Sequence, residues 1–395
     1  MDITKIKELI KSNHDQIISW RRHLHQHPEL SFEEFDTSDF VAEKLIEMGY
    51  EVKRNIGGTG VLATFDTQIP GPVIAFRADM DALPILEETG LSFESENAGV
   101  MHGCGHDGHM AVLLGTAKTI SQAKDSFKGV IKFIFQPGEE ANGGAKCVIN
   151  DGALKAPDVE GIFALHMMPD LPCGTIGTRA GYLSATDDEF LIKIYGRGAH
   201  SSEPQVGVNA ILIGAQIING LQTILSAGIG PFDTATFSIC QINGGDAINV
   251  IPDYVEMKGM IRCIEKSNKE LIRQKMKQIV EGTALSMGGK GEVDFIPGFP
   301  SVNNDSKLTQ IVMDAARKML PTPDGCIEIE RPHMGSEDFA YYQEVVPGVM
   351  FMLGCEQEGI PTGSLHESVL NFNEEALDYG IEIFVEIAVQ MCGKQ

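Results

Sequence analysis

Val73-Ile74-Ala75-Phe76 is a run of four apolar residues that stops at Arg77-Ala78-Asp79-Met80-Asp81, where a guanidinium and two carboxylates follow at once. An apolar run of that length with polar bounds suits a strand buried on both faces. The pattern returns downstream. Val130 to Phe135 ends in Gln136-Pro137-Gly138-Glu139-Glu140, and Ile162-Phe163-Ala164-Leu165 runs into His166. Between the first two runs lies Met101-His102-Gly103-Cys104-Gly105-His106-Asp107-Gly108-His109, followed by a helical stretch from Met110 to Ser121. Doubly buried strands separated by helices predict an α/β fold, with a mainly parallel sheet covered by helices. Ligands of such sheets bind beyond the carboxyl ends of the strands. Asp79, Asp81, Glu139, Glu140 and His166 each follow directly after a predicted strand, so this topology brings them to one edge.

Working outward, Ile6, Leu9, Ile10, Ile17 and Leu24 recur at mostly helical intervals after Asp2 and predict an amphipathic helix over 3–24. His23, His25 and His27 alternate ahead of Pro28, which ends that helix. With no carboxylate or thiol at ligand spacing, they read as solvated or capping groups. A second helix is predicted over 33–48 and stops at Gly49. Near Asp188 the pattern changes. Strands over 189–195, 234–242, 254–262 and 292–296 alternate with helices over 208–225 and 269–285, in the β-α-β-β-α-β order of a ferredoxin-like α+β unit. The segments 181–185 and 297–300 are expected hinges, and the apolar run Val349 to Leu353 resembles the strands of the first sheet. The second domain, 185–297, is therefore expected to be inserted into a first domain made of 1–184 and 298–395.

A chain of 395 residues has material for two such cores. A formal net charge of -24 and a pI near 4.8 exclude nucleic acid and anionic membrane as expected partners, because a polyanion is repelled at long range. Small substrates remain. No N-terminal stretch combines basic residues, an apolar core and a small-residue cleavage site, and no run reaches the roughly 18 apolar residues of a spanning helix. A cytoplasmic location is expected. The eight cysteines (104, 147, 173, 240, 263, 326, 355 and 392) show no paired spacing, which fits a reducing compartment.

The glycine-rich stretch concentrates a thiol and three imidazoles where the backbone can bend tightly, which suits a transition-metal site. Taken alone, it also fits a buried cysteine beside surface histidines. Other donors decide between these. Cys104, His106, Glu140, His166 and the distant His366 would make five ligands, too many for one tetrahedral structural zinc and suited to two metals with open positions. His366 lies in Gly363-Ser364-Leu365-His366-Glu367, after the Val349 to Leu353 strand, and by itself reads more readily as an ordinary loop histidine than as a ligand. Glu139 and Glu140 are neighbours in an extended segment, so their side chains point apart. One can bind metal while the other acts as general base toward a water whose pKa a metal lowers to about 7. A solvated acidic turn is the alternative for that pair.

Arg77-Ala78-Asp79-Met80-Asp81-Ala82-Leu83-Pro84, the 101–109 stretch, Gln136-Pro137-Gly138-Glu139-Glu140, Leu165-His166 and Leu365-His366-Glu367 together resemble the M20 metallopeptidase family. The resemblance is greatest to its amidohydrolase branch of aminoacylases, hippurate hydrolases and auxin-conjugate hydrolases. It runs from Arg21-Arg22-His23-Leu24-His25-Gln26-His27-Pro28-Glu29-Leu30 to His366, nearly the whole chain. It implies that Cys104, His106, Glu140, His166 and His366 bind two divalent metals, often manganese or zinc, with Glu139 as base. It also implies that the inserted domain is a lid through which subunits form a homodimer. His200, in Gly198-Ala199-His200-Ser201, resembles the lid histidine that polarises the scissile carbonyl in the partner's active site, and Asn249 and Arg262 resemble lid residues that hold substrate. Peptidase relatives place a bridging carboxylate where Cys104 stands, and a thiolate is softer and oxidisable. The activity implied is metal-dependent hydrolysis of the amide bond of N-acyl amino acids to a carboxylic acid and a free amino acid. An M20-type dipeptidase or carboxypeptidase is the alternative. A binding protein without turnover is a third reading, against which stands Glu139, since binding needs no general base.

Overall fold

In the computed structural model, which describes residues 2–141, 143–357, 359 and 362–394, Val73 to Phe76 open the strand Val73–Asp79, buried along its whole length. Val130–Gln136 is equally buried and lies parallel to it on one side. Gly161–Pro172 lies parallel on the other, and Gly348–Glu356 parallel beyond that. These four strands form the centre of an eight-stranded sheet. Antiparallel pairing is confined to the flanks, where Gly60–Asp66 joins Val130–Gln136, Glu51–Ile56 joins Gly60–Asp66, and Ile176–Thr178 joins Gly348–Glu356. Burial of every residue in Val73–Asp79 and Val130–Gln136, and of the first five in Gly161–Pro172, means that neither face meets water there, as a mainly parallel sheet requires.

Aromatic side chains bind the sheet to its last helix. Phe76 lies 6.2 Å from Phe133 and 5.8 Å from Phe163, each on a neighbouring strand. Phe384, on helix Glu375–Cys392, sits 4.8 Å from Phe76 and 5.7 Å from Phe351, so one ring spans two strands. The helix Ile3–Gln26 packs on His106–Gln122, which packs in turn on Glu375–Cys392. Two differences from the sequence reading matter for function. The helix expected from Met110 starts at His106, so the second half of the glycine-rich stretch is helical. His25 is turned inward and buried rather than solvated, because it shares a face with Ile17, Arg21 and Leu24.

The chain divides into two units: one made of Met1–Leu183, Asn303–Arg331 and Asp338–Gln395, the other of Ser184–Val302 and Pro332–Glu337. The limits differ from those expected, because residues 298–302 and 332–337 are bonded within the second unit. Phe299 N donates to Asp187 Oδ1 at 2.6 Å, Val302 N to Ser184 Oγ at 3.0 Å, and Ala185 N to Gly335 O at 3.0 Å. The sheet of this unit is antiparallel, in the order Ala235–Asn243, Tyr254–Cys263, Thr186–Tyr195, Lys290–Pro297. Helices Ala210–Ala227 and Lys266–Ser286 pack against it. Ala210–Ala227 is, among the described residues, the one helix long and apolar enough to cross a membrane. Its Ile213, Ile217, Leu221 and Ile224 form a buried stripe at helical spacing within the core of this unit.

Because Phe384 packs on rings from two strands, Phe384→Ala leaves a cavity that the rigid sheet cannot close. The expected cost is about 3–5 kcal/mol, read as a lower urea midpoint for the first unit with an unchanged slope.

Candidate metal centre

The turn at Cys104-Gly105 sets the geometry. Gly105 has φ 81°, in the left-handed region, and a Cβ there would come within 3.2 Å of Met167. The reversal starts the helix at His106, which puts His106 and His109 one turn apart on the same side. Cys104 Sγ lies 3.5 Å from His166 Nε2. His166 does not follow its strand, as expected from sequence, but lies inside it, since Gly161–Pro172 continues past the polar residue. His366 arrives by its backbone: its N–H donates to Gly103 O at 2.7 Å, and its φ of 67° is also left-handed. Among the described residues five sets of donor atoms lie within 4.8 Å of one another, and three of them unite the residues singled out from sequence: Cys104, His106 and His166; Cys104, Glu140 and His366; His106, Glu139 and Glu140. Cys104 belongs to both of the first two.

Hydrogen bonds fix which ring nitrogens face the cluster. His106 Nδ1 donates to Asp81 O and His166 Nδ1 to Met167 O, both at 2.8 Å. A carbonyl only accepts, so each ring keeps a proton on Nδ1 and turns Nε2 inward. His106 Nε2 and Glu140 Oε1 are buried with no hydrogen-bond partner. Glu140 Oε1 is 3.3 Å from His366 Nε2, but without the angle of a hydrogen bond. An orphaned imidazole nitrogen and carboxylate oxygen beside a thiol fit a divalent metal cation. Burial pushes the Cys104 thiol up to about 12. Burial also holds His166 well below its usual value, aided by His109. It opposes charge on His106 too, but there the Asp79 carboxylate, Asp81 and Cys104 together outweigh it and raise the pKa well above the usual one. A bound cation would replace these protons, since ligation takes the thiolate and the neutral imidazole.

Behind the donors stands a second row that sequence reading left without a role. His109 Nδ1 donates to Asp79 Oδ1 at 2.6 Å, and its Nε2 accepts Met167 N at 2.8 Å. With both nitrogens occupied, His109 braces the strand beside His166 instead of joining the donors. Arg21 Nε donates to Asp107 Oδ2 at 2.8 Å, and His25 bridges Asp107 Oδ2 and Glu87 Oε1 at 2.9 and 3.0 Å. Burial opposes charge on Asp107, yet Arg21 and His25 hold its pKa well below the carboxylate range. A signal for this existed: Arg21 and His25 are four apart and fall on the apolar stripe of the first helix.

Of the other residues singled out from sequence, Glu139 is buried beside Glu140, 3.5 Å from Asp338 N. His200, Asn249 and Arg262 belong to the second unit. His200 is exposed, paired with Val250, and its Nδ1 accepts Ser202 N at 3.2 Å. Asn249 is exposed and its carbonyl accepts Ser201 N at 3.0 Å. Arg262 Nη1 donates to Met334 O at 2.8 Å.

If His109 braces the His166 strand, His109→Ala should weaken divalent-metal affinity by about 10–100-fold, the usual effect of removing such a support. Competition of manganese or zinc against a chelator measures it, and unchanged affinity would remove the bracing role.

Residues 75–390 match the family described as Peptidase family M20/M25/M40. The N-acetylcysteine deacetylase of Bacillus subtilis (strain 168) is 39% identical over 381 residues, covering 96% of this chain and 97% of the relative. An N-acyl-L-amino acid amidohydrolase of Geobacillus stearothermophilus is 42% identical over 303 residues, covering 76% of this chain and 81% of the relative. Among solved structures, the YXEP protein of Bacillus subtilis, described as a dinuclear metal binding peptidase from the M20 family, superimposes with a TM-score of 0.85. It is 38% identical, and 96% of this chain and 98% of that one are covered. With motif, fold and near full-length identity in agreement, the chain belongs to peptidase family M20/M25/M40.

Proposed function

We propose that this protein is a binuclear metal-dependent amidohydrolase that cleaves N-acyl amino acids to a carboxylic acid and a free amino acid. The observation that carries the reading is the pair of donor sets sharing Cys104, with the buried Glu139 beside them. Cys104, His106, Glu140, His166 and His366 would hold two divalent ions, with manganese or zinc suited to this mixture of thiolate, imidazole and carboxylate. Such ions lower the pKa of water toward about 7 and polarise a carbonyl. The names of the deacetylase and amidohydrolase relatives support the substrate class.

Glu139 accepts a proton from the attacking water while the oxygen bonds to the amide carbon. As the C–N bond breaks, the same carboxyl returns that proton to the leaving amine. The second unit acts as a lid and as the surface through which two copies form a homodimer. Support comes from its edge strand Ala235–Asn243 and from exposed apolar side chains there, including Ile242 at 54% and Ile248 at 107%. His200 serves the active site of the partner subunit. Its Nδ1 accepts Ser202 N, so the neutral ring keeps its proton on Nε2, free to donate to a developing oxyanion. Asn249 and Arg262 hold the substrate. The peptidase description of the YXEP structure supports peptide hydrolysis, by a dipeptidase or carboxypeptidase, as the second reading.

Assaying a panel of N-acyl amino acids and dipeptides with manganese or zinc separates the two readings. On the preferred substrate, Glu139→Gln should retain metal and lose on the order of 10²-fold or more in rate, whereas Glu140→Gln should lose metal as well. Metal loss in Glu139→Gln would reverse the two roles.

Composite sites make a further demand. His200→Ala and Glu139→Gln homodimers should each be nearly inactive. A heterodimer of the two, isolated with different tags, has one site with both defects and one intact, and should recover up to about half of the wild-type rate, because the losses act on each site separately. A folded, metallated but inactive heterodimer would place the action of His200 within its own chain.

A further inference from the structure

The segment that follows the first helix, Leu30 to Glu34, contributes no donor to the metal cluster, yet it grips both Asp81 and the loop that carries Glu139 and Glu140. Ser31 Oγ donates to Asp81 Oδ2 at 2.7 Å, and that same oxygen accepts Glu140 N at 2.9 Å. Glu34 is fully buried, at 0% exposure. Its Oε1 accepts Gly138 N at 2.9 Å, and Thr59 Oγ1, also buried, donates to its Oε2. Between these two grips, Phe32 has φ 63°, in the left-handed region where an aromatic residue is a genuine outlier. Its ring covers Gly138, itself at φ 62°, where a Cβ would come within 2.6 Å of the ring. Strain of this kind persists only where surrounding structure enforces it, and it collects at functional sites.

The turn needs such a grip. Gly138 is the most permissive residue in the turn, and the carboxylate of Glu139 departs from the next Cα. A rotation at Gly138 would swing that carboxylate while leaving the strand Val130–Gln136 undisturbed. A buried carboxylate on Gly138 N, with a ring against its Cα, removes that freedom.

We propose that Glu34 is a positioning residue that aims Glu139, acting through Gly138 N, with Thr59 and Phe32 holding the clamp in place. This rests on the assignment of Glu139 as general base. A base misplaced by about 1 Å can lose 10²-fold in rate while substrate binding is untouched. The clamp therefore acts on kcat.

The test is a double-mutant cycle in the manganese-loaded full-length protein, with the N-acetyl-L-amino acid it hydrolyses fastest. Glu34→Ala should lower kcat by about 10–10²-fold, with KM within about twofold and the metal content per chain unchanged. Glu34→Gln, whose amide oxygen still accepts from Gly138 N, should stay within about threefold of wild type. In a Glu139→Gln background, Glu34→Ala should cost nothing further, because the group it aims is gone. An equal loss in both backgrounds, metal loss in Glu34→Ala, or a Glu34→Gln as slow as Glu34→Ala would overturn the clamp and leave the general base standing. Glu139→Gln at the wild-type rate would instead overturn the base and the clamp with it. Should Glu34→Ala fail to fold, Thr59→Val enters the same cycle: a smaller kcat loss that vanishes without Glu139 supports the clamp, and a wild-type rate or an undiminished loss overturns it.

Discussion

A guanidinium with almost no exposed surface holds the floor of the metal centre. Arg77 donates to Gln136 Oε1 at 2.9 Å, to Asp79 Oδ2 at 2.7 Å and to Asp338 Oδ1 at 2.7 Å. Asp338 also accepts Gln136 Nε2 and, at 2.9 Å, Ala145 N. One cation thus ties the ends of two parallel strands, the start of helix Gly144–Asn150 and the chain at Asp338. A buried charge without its partners is costly by several kcal/mol. That cost is why these strand ends cannot drift apart, and the donors above them inherit the constraint.

From this floor the order is passed on by hydrogen bonds of one direction. Asp79, held by Arg77, His106 and His109, stays ionised despite its burial and orients the His109 ring. His109 braces Met167 N, and Met167 O orients His166. Asp81 does the same for its neighbours: its carbonyl turns His106 and its carboxylate takes the Glu140 amide. His106 and His166 therefore each have their free nitrogen chosen by a backbone carbonyl. Glu139 and Glu140, though neighbours, take different partners. Glu140 Oε1 approaches His366, while Glu139 lies near the Asp338 amide.

The second unit is built on different physics. Its antiparallel sheet buries one face under two helices, so its strands alternate where those of the first sheet do not. Thr186–Tyr195 and Tyr254–Cys263 each place every second residue in the core. Asp188, buried on this unit, is matched by Lys269 and Arg273 at 3.3 and 2.6 Å.

Local pattern was enough to read the parallel sheet, the β-α-β-β-α-β order and the strand ends where polar residues cluster, because hydrophobic period and chain punctuation are properties of neighbouring residues. It also nominated Cys104, His106, Glu139, Glu140, His166 and His366, which the structure brings together. What lay beyond it were partners distant along the chain. Arg77 meets Asp338 across 261 positions, and His25 meets Asp107 across 82, so no window of sequence contains either pair. For that reason His25 read as solvated, His109 had no role, and His166 was placed after a strand that in fact runs through it. Residue types and their spacing determined which groups could do this chemistry. Only tertiary packing, by deciding which buried nitrogen or oxygen keeps a hydrogen-bond partner and which is left open, decided which of them face the site.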